Sequence, residues 1–188
     1  MKRTIIALAV LSILAFGVGA NADLQNSAVA NVRVLVSPNV SIAPVSPNID
    51  AGSVQTGPFT ASIDFTVDAN KQEVSFFAEA SDLFKGDDPT NTTVAPLPVN
   101  LSTGVLVTPA NGNATHGHGN TMAFIGSTGG VVNGFPTHMT ETVQFSSSQN
   151  NHFSQNVNVK VAYTQPDPEQ PTGEYSGVVR LTAIVAAQ

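Results

Sequence analysis

The sequence predicts an all-β chain folded as a single β-sandwich, and three observations carry that prediction. Apolar residues recur at every second position in a series of short segments, the period of a half-buried strand. No stretch between those segments carries a helical period, which argues against an α/β layout. The segments are punctuated by Pro- and Gly-bearing turns with no fixed repeat, the pattern of a sandwich and not of a repeat array.

The first 22 residues stand outside this pattern. Lys2 and Arg3 precede an apolar run from Ile5 to Val18, and Ala20-Asn21-Ala22 ends it with small residues where a signal peptidase reads. The run is shorter than the roughly 20 residues a membrane-spanning helix needs. A cleaved secretory signal over 1–22 is therefore expected, with the mature chain starting at Asp23. Cleavage takes 22 of 188 residues and leaves 166, enough for one domain with a sizeable core.

Of seven basic and thirteen acidic residues the leader holds two basic ones, so five against thirteen leaves a mature charge of −8. Such a chain lacks the basic footprint of a nucleic-acid binder, and no nucleic-acid partner is expected. Cysteine is absent, which excludes thiol catalysis, thiolate metal sites and disulfides. Ten phenylalanines against two tyrosines and no tryptophan, mostly set singly along apolar stretches, suit a sandwich core.

The first strand candidate runs from Ala28 to Val36, reading A-V-A-N-V-R-V-L-V. Ala28, Ala30, Val32, Val34 and Val36 share one wholly apolar face; Val29, Asn31, Arg33 and Leu35 take the other. Pro38 closes the unit. Val40 to Ile42 follows, then Phe59 to Val67, with Phe59, Ala61, Ile63, Phe65 and Val67 inward. Asp68 to Lys71 reads as a polar turn. Val74 to Ala80 shows Val74, Phe76, Ala78 and Ala80 against Ser75, Phe77 and Glu79, and a four-residue helix near Ala80 to Phe84 is allowed. Asp82 to Asn91 is a loop. Pro96 to Leu101 and Gly104 to Val107 come next, and residues 108–120 read as an exposed Gly-rich loop. Thr121 to Ile125 and Glu141 to Ser146 are further candidates, with Thr140, Thr142 and Gln144 expected to face water. Asn156 to Tyr163 alternates again, Gln165 to Gly173 is a Pro-rich connector, and Tyr175 to Val185 places Tyr175, Gly177, Val179, Leu181, Ala183 and Val185 on one side.

The leading strand begins close to the expected mature start and is set off from the body by Pro38, Pro44 and Pro47. It reads in two ways: as a first core strand of its own sandwich, or as a segment that completes another subunit. In the second reading its main chain adds to an unpaired sheet edge while Ala28, Ala30, Val32, Val34 and Val36 enter pockets. That contact is head-to-tail and non-closing, so it builds a filament.

Two segments carry a family resemblance. A-N-V-R-V-L-V-S-P-N-V-S-I, from Ala30 to Ile42, resembles the donor strand of chaperone–usher major pilins, most closely the cysteine-free class 5 (alpha) or colonisation-factor fimbriae. P-T-G-E-Y-S-G-V-V-R-L, from Pro171 to Leu181, resembles that family's C-terminal strand and marks Gly173, Tyr175, Gly177, Val179 and Leu181. Residues 85–155 match in general character alone. The resemblance implies an incomplete immunoglobulin-like β-sandwich completed by a neighbour's strand, organised as leader 1–22, donor segment 23–37 and body 38–188. It implies as partners identical subunits, a periplasmic chaperone and an outer-membrane usher, and it allows a tip adhesin and a host-surface receptor. It places the protein at the cell surface, as a structural subunit with a role in adhesion and no enzyme activity. The competing class is a secreted single-domain adhesin that forms no filament.

Candidate chemistry is sparse. His116 and His118, two apart in T-H-G-H-G, supply two ligands where a tight metal site needs more, and His138 and His152 stand far off in sequence. Glu79, Asp82, Asp87 and Asp88 lack a calcium-loop pattern and read as a hydrated turn. No Gly-x-Ser-x-Gly elbow occurs, and no cofactor is expected.

Overall fold

The computed structural model describes residues 30–91, 93–110, 112–114 and 119–187, and Ala28 lies outside them. The chain divides into two units, 1–35 and 36–188. In the first, residues 30–35 are exposed and belong to no strand. The second is built entirely of antiparallel strands among its described residues.

One sheet has the strand order β1 (Val40–Pro44), β2 (Gly57–Ala69), β11 (Phe153–Gln165), β5 (Val105–Pro109) and β7 (Asn120–Met122). Its spine is the pair β2 and β11, each 13 residues long and matched end to end from Gly57 against Gln165 to Ala69 against Phe153. Strict alternation makes that length usable. Ile63, Phe65, Val67 and Ala69 of β2 and Val157, Val159, Val161 and Tyr163 of β11 point into the core. Their outward neighbours form a polar ladder: Asn158 Nδ2 donates to Ser62 Oγ (2.9 Å) and Asp64 Oδ1 (2.7 Å), and Thr66 Oγ1 donates to Asn156 Oδ1 (3.1 Å).

The second sheet is organised around β3 (Glu73–Ser81). Its Ser75–Ala80 stretch pairs with β13 (Val179–Ile184), while Glu73–Phe76 pairs with β10 (Val143–Ser147) and Glu79–Ser81 with β9 (Phe135–Thr140). Because both latter registers overlap that of β13, β9 and β10 must share the opposite edge of β3. They act as one strand broken at Glu141 and Thr142. At the break Thr140 Oγ1 accepts from the Ala78 amide (3.0 Å), in place of the missing backbone carbonyl. β8 (Phe124–Val132) and β6 (Gly112–Ala114) pair with the outer side of β9 and β10 respectively. Two short strands, β4 (Phe84–Lys85) and β12 (Tyr175–Ser176), form a separate pair.

The sheets meet over one apolar core. Phe76 of β3 packs against Phe153 of β11 and Phe145 of β10, at 5.6 and 5.5 Å between ring centres, and all three rings are fully buried. Aromatic pairs at this spacing add roughly 0.5–1.5 kcal/mol beyond their buried area.

Several local expectations need correcting. Pro96 to Leu101 forms no strand; Leu97 and Val99 make single bridges to Leu83 and Tyr163, since Pro96 and Pro98 donate no hydrogen bonds to a ladder. The 108–120 segment is not wholly loop, because β6 lies within it. Thr121 to Ile125 is split between β7 and β8, in different sheets. Thr140 does not face water but is buried, held by the strand break it repairs. Ala80 to Phe84 is extended, without a helix. Tyr175 to Val185 is interrupted at Gly177 and Val178, so Tyr175 pairs with Lys85 while Val179 starts against Ala80.

Candidate functional site

The C-terminal strand is where the chemistry of the body is least complete. β13 pairs with β3 on one side, and no described strand takes its other edge, leaving a row of amides and carbonyls without sheet partners. β13 and β1 come into contact where the two sheets close. β1 covers β2 from Phe65 to Ala69, so the earlier part of β2 extends past it and Phe59 and Ala61 remain half-buried. Val40, Ile42, Val179, Ala183 and Val185 are likewise apolar side chains packed on the core and partly uncovered. An edge of this kind can accept an extended peptide through main-chain hydrogen bonds, with small apolar side chains meeting the partly uncovered ones.

The C-terminal motif builds this edge. Tyr175 is anchored by its hydroxyl, which donates to the Pro171 carbonyl (2.8 Å) and accepts from Gln170 Nε2 (3.0 Å). Gly173, with φ of +142°, turns the connector beside Lys85. At Gly177 the chain passes so close to β3 that a Cβ would sit 2.5 Å from Ser81 Oγ and 2.6 Å from the Asp82 carbonyl. That approach lets Ser81 Oγ accept from the Val178 amide (2.8 Å) and the Ser81 amide donate to the Val178 carbonyl (3.0 Å). Val179 and Leu181 then point inward, Leu181 fully into the core. Gly177, Val179 and Leu181 thus bring β13 onto β3, while Gly173 and Tyr175 sit beside β4 ahead of it.

Among the residues marked as a donor face, Ala30 and Val36 are exposed, as are Val32 (92%) and Val34 (86%). Leu35, on the other face, is exposed to a similar degree (81%), so exposure alone does not separate the two faces. Just beyond this segment, within the second unit, Asn70 holds the backbone. Its Oδ1 accepts from the Asn39 amide (2.7 Å) and its Nδ2 donates to the Ser37 carbonyl (2.9 Å).

Glu79, grouped in the sequence with a hydrated turn, is instead a buried residue of β3. It lies on the outward side of β3 yet is 2% exposed. Its carboxylate takes a charge-assisted pair from Arg180, directly opposite on β13, and hydrogen bonds from the Thr137 hydroxyl and the Gly130 amide. Arg180 lies 101 residues away, beyond any local pattern.

The other acids grouped with Glu79 each have a partner of their own. Asp82 accepts from the Val99 amide (2.8 Å), Asp87 from Ser176, and Asp88 from the Thr90 amide and hydroxyl, which hold the Asp88 carboxyl below its usual value. Among the described residues no three His, Asp or Glu side chains gather around one point. His116 and His118 lie outside the described residues. His138 stands 3.6 Å from Asp82, and His152 Nδ1 lies 2.9 Å from the Asn150 carbonyl.

No protein-family model, curated protein or solved structure matches this chain.

Proposed function

We propose that this chain is a non-enzymatic structural subunit of a bacterial surface fimbria, exported through the periplasm and polymerised by donor-strand exchange. In this reading the body is an incomplete immunoglobulin-like sandwich of the class 5 chaperone–usher kind. The N-terminal segment of one copy, presenting Ala28, Ala30, Val32, Val34 and Val36, lies along the free edge of β13 in the next. The observation that carries the reading is a complementarity within one sequence. A β-branched apolar segment whose described residues, 30–36, lie in no strand coexists with an edge strand and partly uncovered apolar side chains on the core. Each valine covered on insertion contributes roughly 1.5–3 kcal/mol, and the added strand satisfies the open row of β13. A chaperone would occupy the same edge before assembly, an usher would exchange it, and a tip adhesin and host receptor fit the ends of such a fibre.

Electron microscopy of surface material from cells expressing the gene with its neighbours tests this. Long thin fibres containing the chain are expected. Recovery of the chain solely as a soluble secreted monomer overturns the polymer reading in favour of a single-domain adhesin.

A further inference from the structure

Glu79 is a buried carboxylate on the outward side of a sheet, where an acid would ordinarily be solvated. What buries it is the β8–β9 hairpin, whose Gly130 amide and Thr137 hydroxyl reach its Oε1. What neutralises it is the Arg180 guanidinium, which binds the other oxygen and keeps about half of its own side chain in solvent (49% exposed). The carboxylate is therefore a junction of three elements: β3, the hairpin and β13.

Consider β13 without that junction. It is six residues long and, among the described strands, paired on one side. A short edge strand opens locally at low cost. Its inward residues Val179 and Ala183 are half-buried, leaving Leu181 as its one deeply buried anchor. The Glu79–Arg180 pair is the second along the β13–β3 register, with Arg180 opposite Glu79 between the Val179–Ala80 and Leu181–Ala78 pairs. Fixing that point fixes which amides and carbonyls β13 turns outward.

We propose that Glu79 is the positioning residue of the accepting edge: through Arg180 it holds β13 as a rigid template for the strand of a second copy. This rests on the polymer reading above and adds the residue that determines whether a subunit can accept.

The test uses the full chain as wild type, Glu79→Gln and Arg180→Lys. Gln keeps the shape and loses the charge; Lys keeps the charge and loses the two-pronged geometry. Amide hydrogen exchange on the purified subunit should show Val179–Ile184 exchanging about tenfold faster or more in Glu79→Gln, the scale of one lost charge-assisted bond. Val157–Val161 should be unchanged, and Arg180→Lys should fall between. In mixing assays read as SDS-resistant multimers, Glu79→Gln should still donate its N-terminal strand to wild type and fail to accept one. Exchange that accelerates equally in β2 and β11 would reduce Glu79 to general stability and overturn the proposal. So would a Glu79→Gln subunit that accepts as well as wild type. If wild type itself forms no multimers, the polymer reading falls and the template role falls with it. The exchange data then still decide whether Glu79 holds β13.

Discussion

Gly177 and Tyr163 show how single residues hold this molecule to one geometry. A Cβ at position 177 has no room to retreat, because one of its neighbours is the Asp82 carbonyl and not a flexible side-chain end. Gly177→Ala should cost about 1–3 kcal/mol, the usual range for overpacking, and lower the denaturant midpoint accordingly. Tyr163 is stacked on Phe59 at 5.6 Å and almost wholly buried. Burial, with a smaller contribution from the Asp82 carboxylate, pushes its phenol well above the ordinary value. An acid whose folded-state pKa is raised stabilises the fold fully below its unfolded pKa, near 10, and loses that contribution as pH climbs past it. Unfolding free energy should therefore fall above about pH 10, and Tyr163→Phe should flatten that fall. Equal slopes for the two proteins in alkaline urea titrations would refute the assignment.

At the scale of elements, the N-terminal segment and β13 set the main prediction. Val32 and Val34 sit mid-segment on the all-apolar face, where an inserted strand excludes water best. Val32→Asp or Val34→Asp should abolish donation to the next subunit, because an unpaired buried carboxylate costs far more than a valine contributes, while acceptance of a wild-type strand continues. Arg33→Asp, on the other face, should matter much less. The reverse result would place the face one residue out, since a one-residue slip exchanges the two sides. Multimer ladders that none of the three variants alters would return this segment to its own sandwich. Strong alternation made β2, β3 and β11 legible in the sequence; their lengths depended on pairing. The β8–β9 hairpin was not read, although Asn133-Gly134 announces it. Both residues take positive φ (50° and 89°), as a two-residue type I′ hairpin turn requires. Gly129, Gly130 and Pro136 dilute the hydrophobic period on either side of that turn and hide the strands from a pattern search.

For the whole molecule, the open edge bears on stability. On the polymer reading, the chain expressed alone leaves apolar side chains of β1 and β13 partly uncovered, and it should aggregate, be degraded, or be rescued by a peptide spanning residues 23–37. Binding of that peptide should raise the melting temperature in a concentration-dependent manner. A monomer that unfolds reversibly, gains nothing from the peptide and is indifferent to deletion of 23–36 would count against strand exchange. On the same reading, N-terminal sequencing of surface material should read from Asp23; a chain retaining Lys2 and Arg3 would count against export.

Local periodicity determined the class of the fold, the inward residues of the long strands and the apolar face of the N-terminal segment, because a strand's two sides are written two residues apart. It also marked Gly173, Tyr175 and Gly177, though not the task of each. The tertiary structure alone decided that β9 and β10 share one edge of β3, that Thr140 is buried, and that Asn70 grips Ser37 and Asn39. It alone decided that Glu79 finds Arg180 across the sheet. Those outcomes depend on pairings between residues distant in sequence. An acid on the outer side of a strand reads as solvated until the fold brings both a cation and a covering hairpin to it.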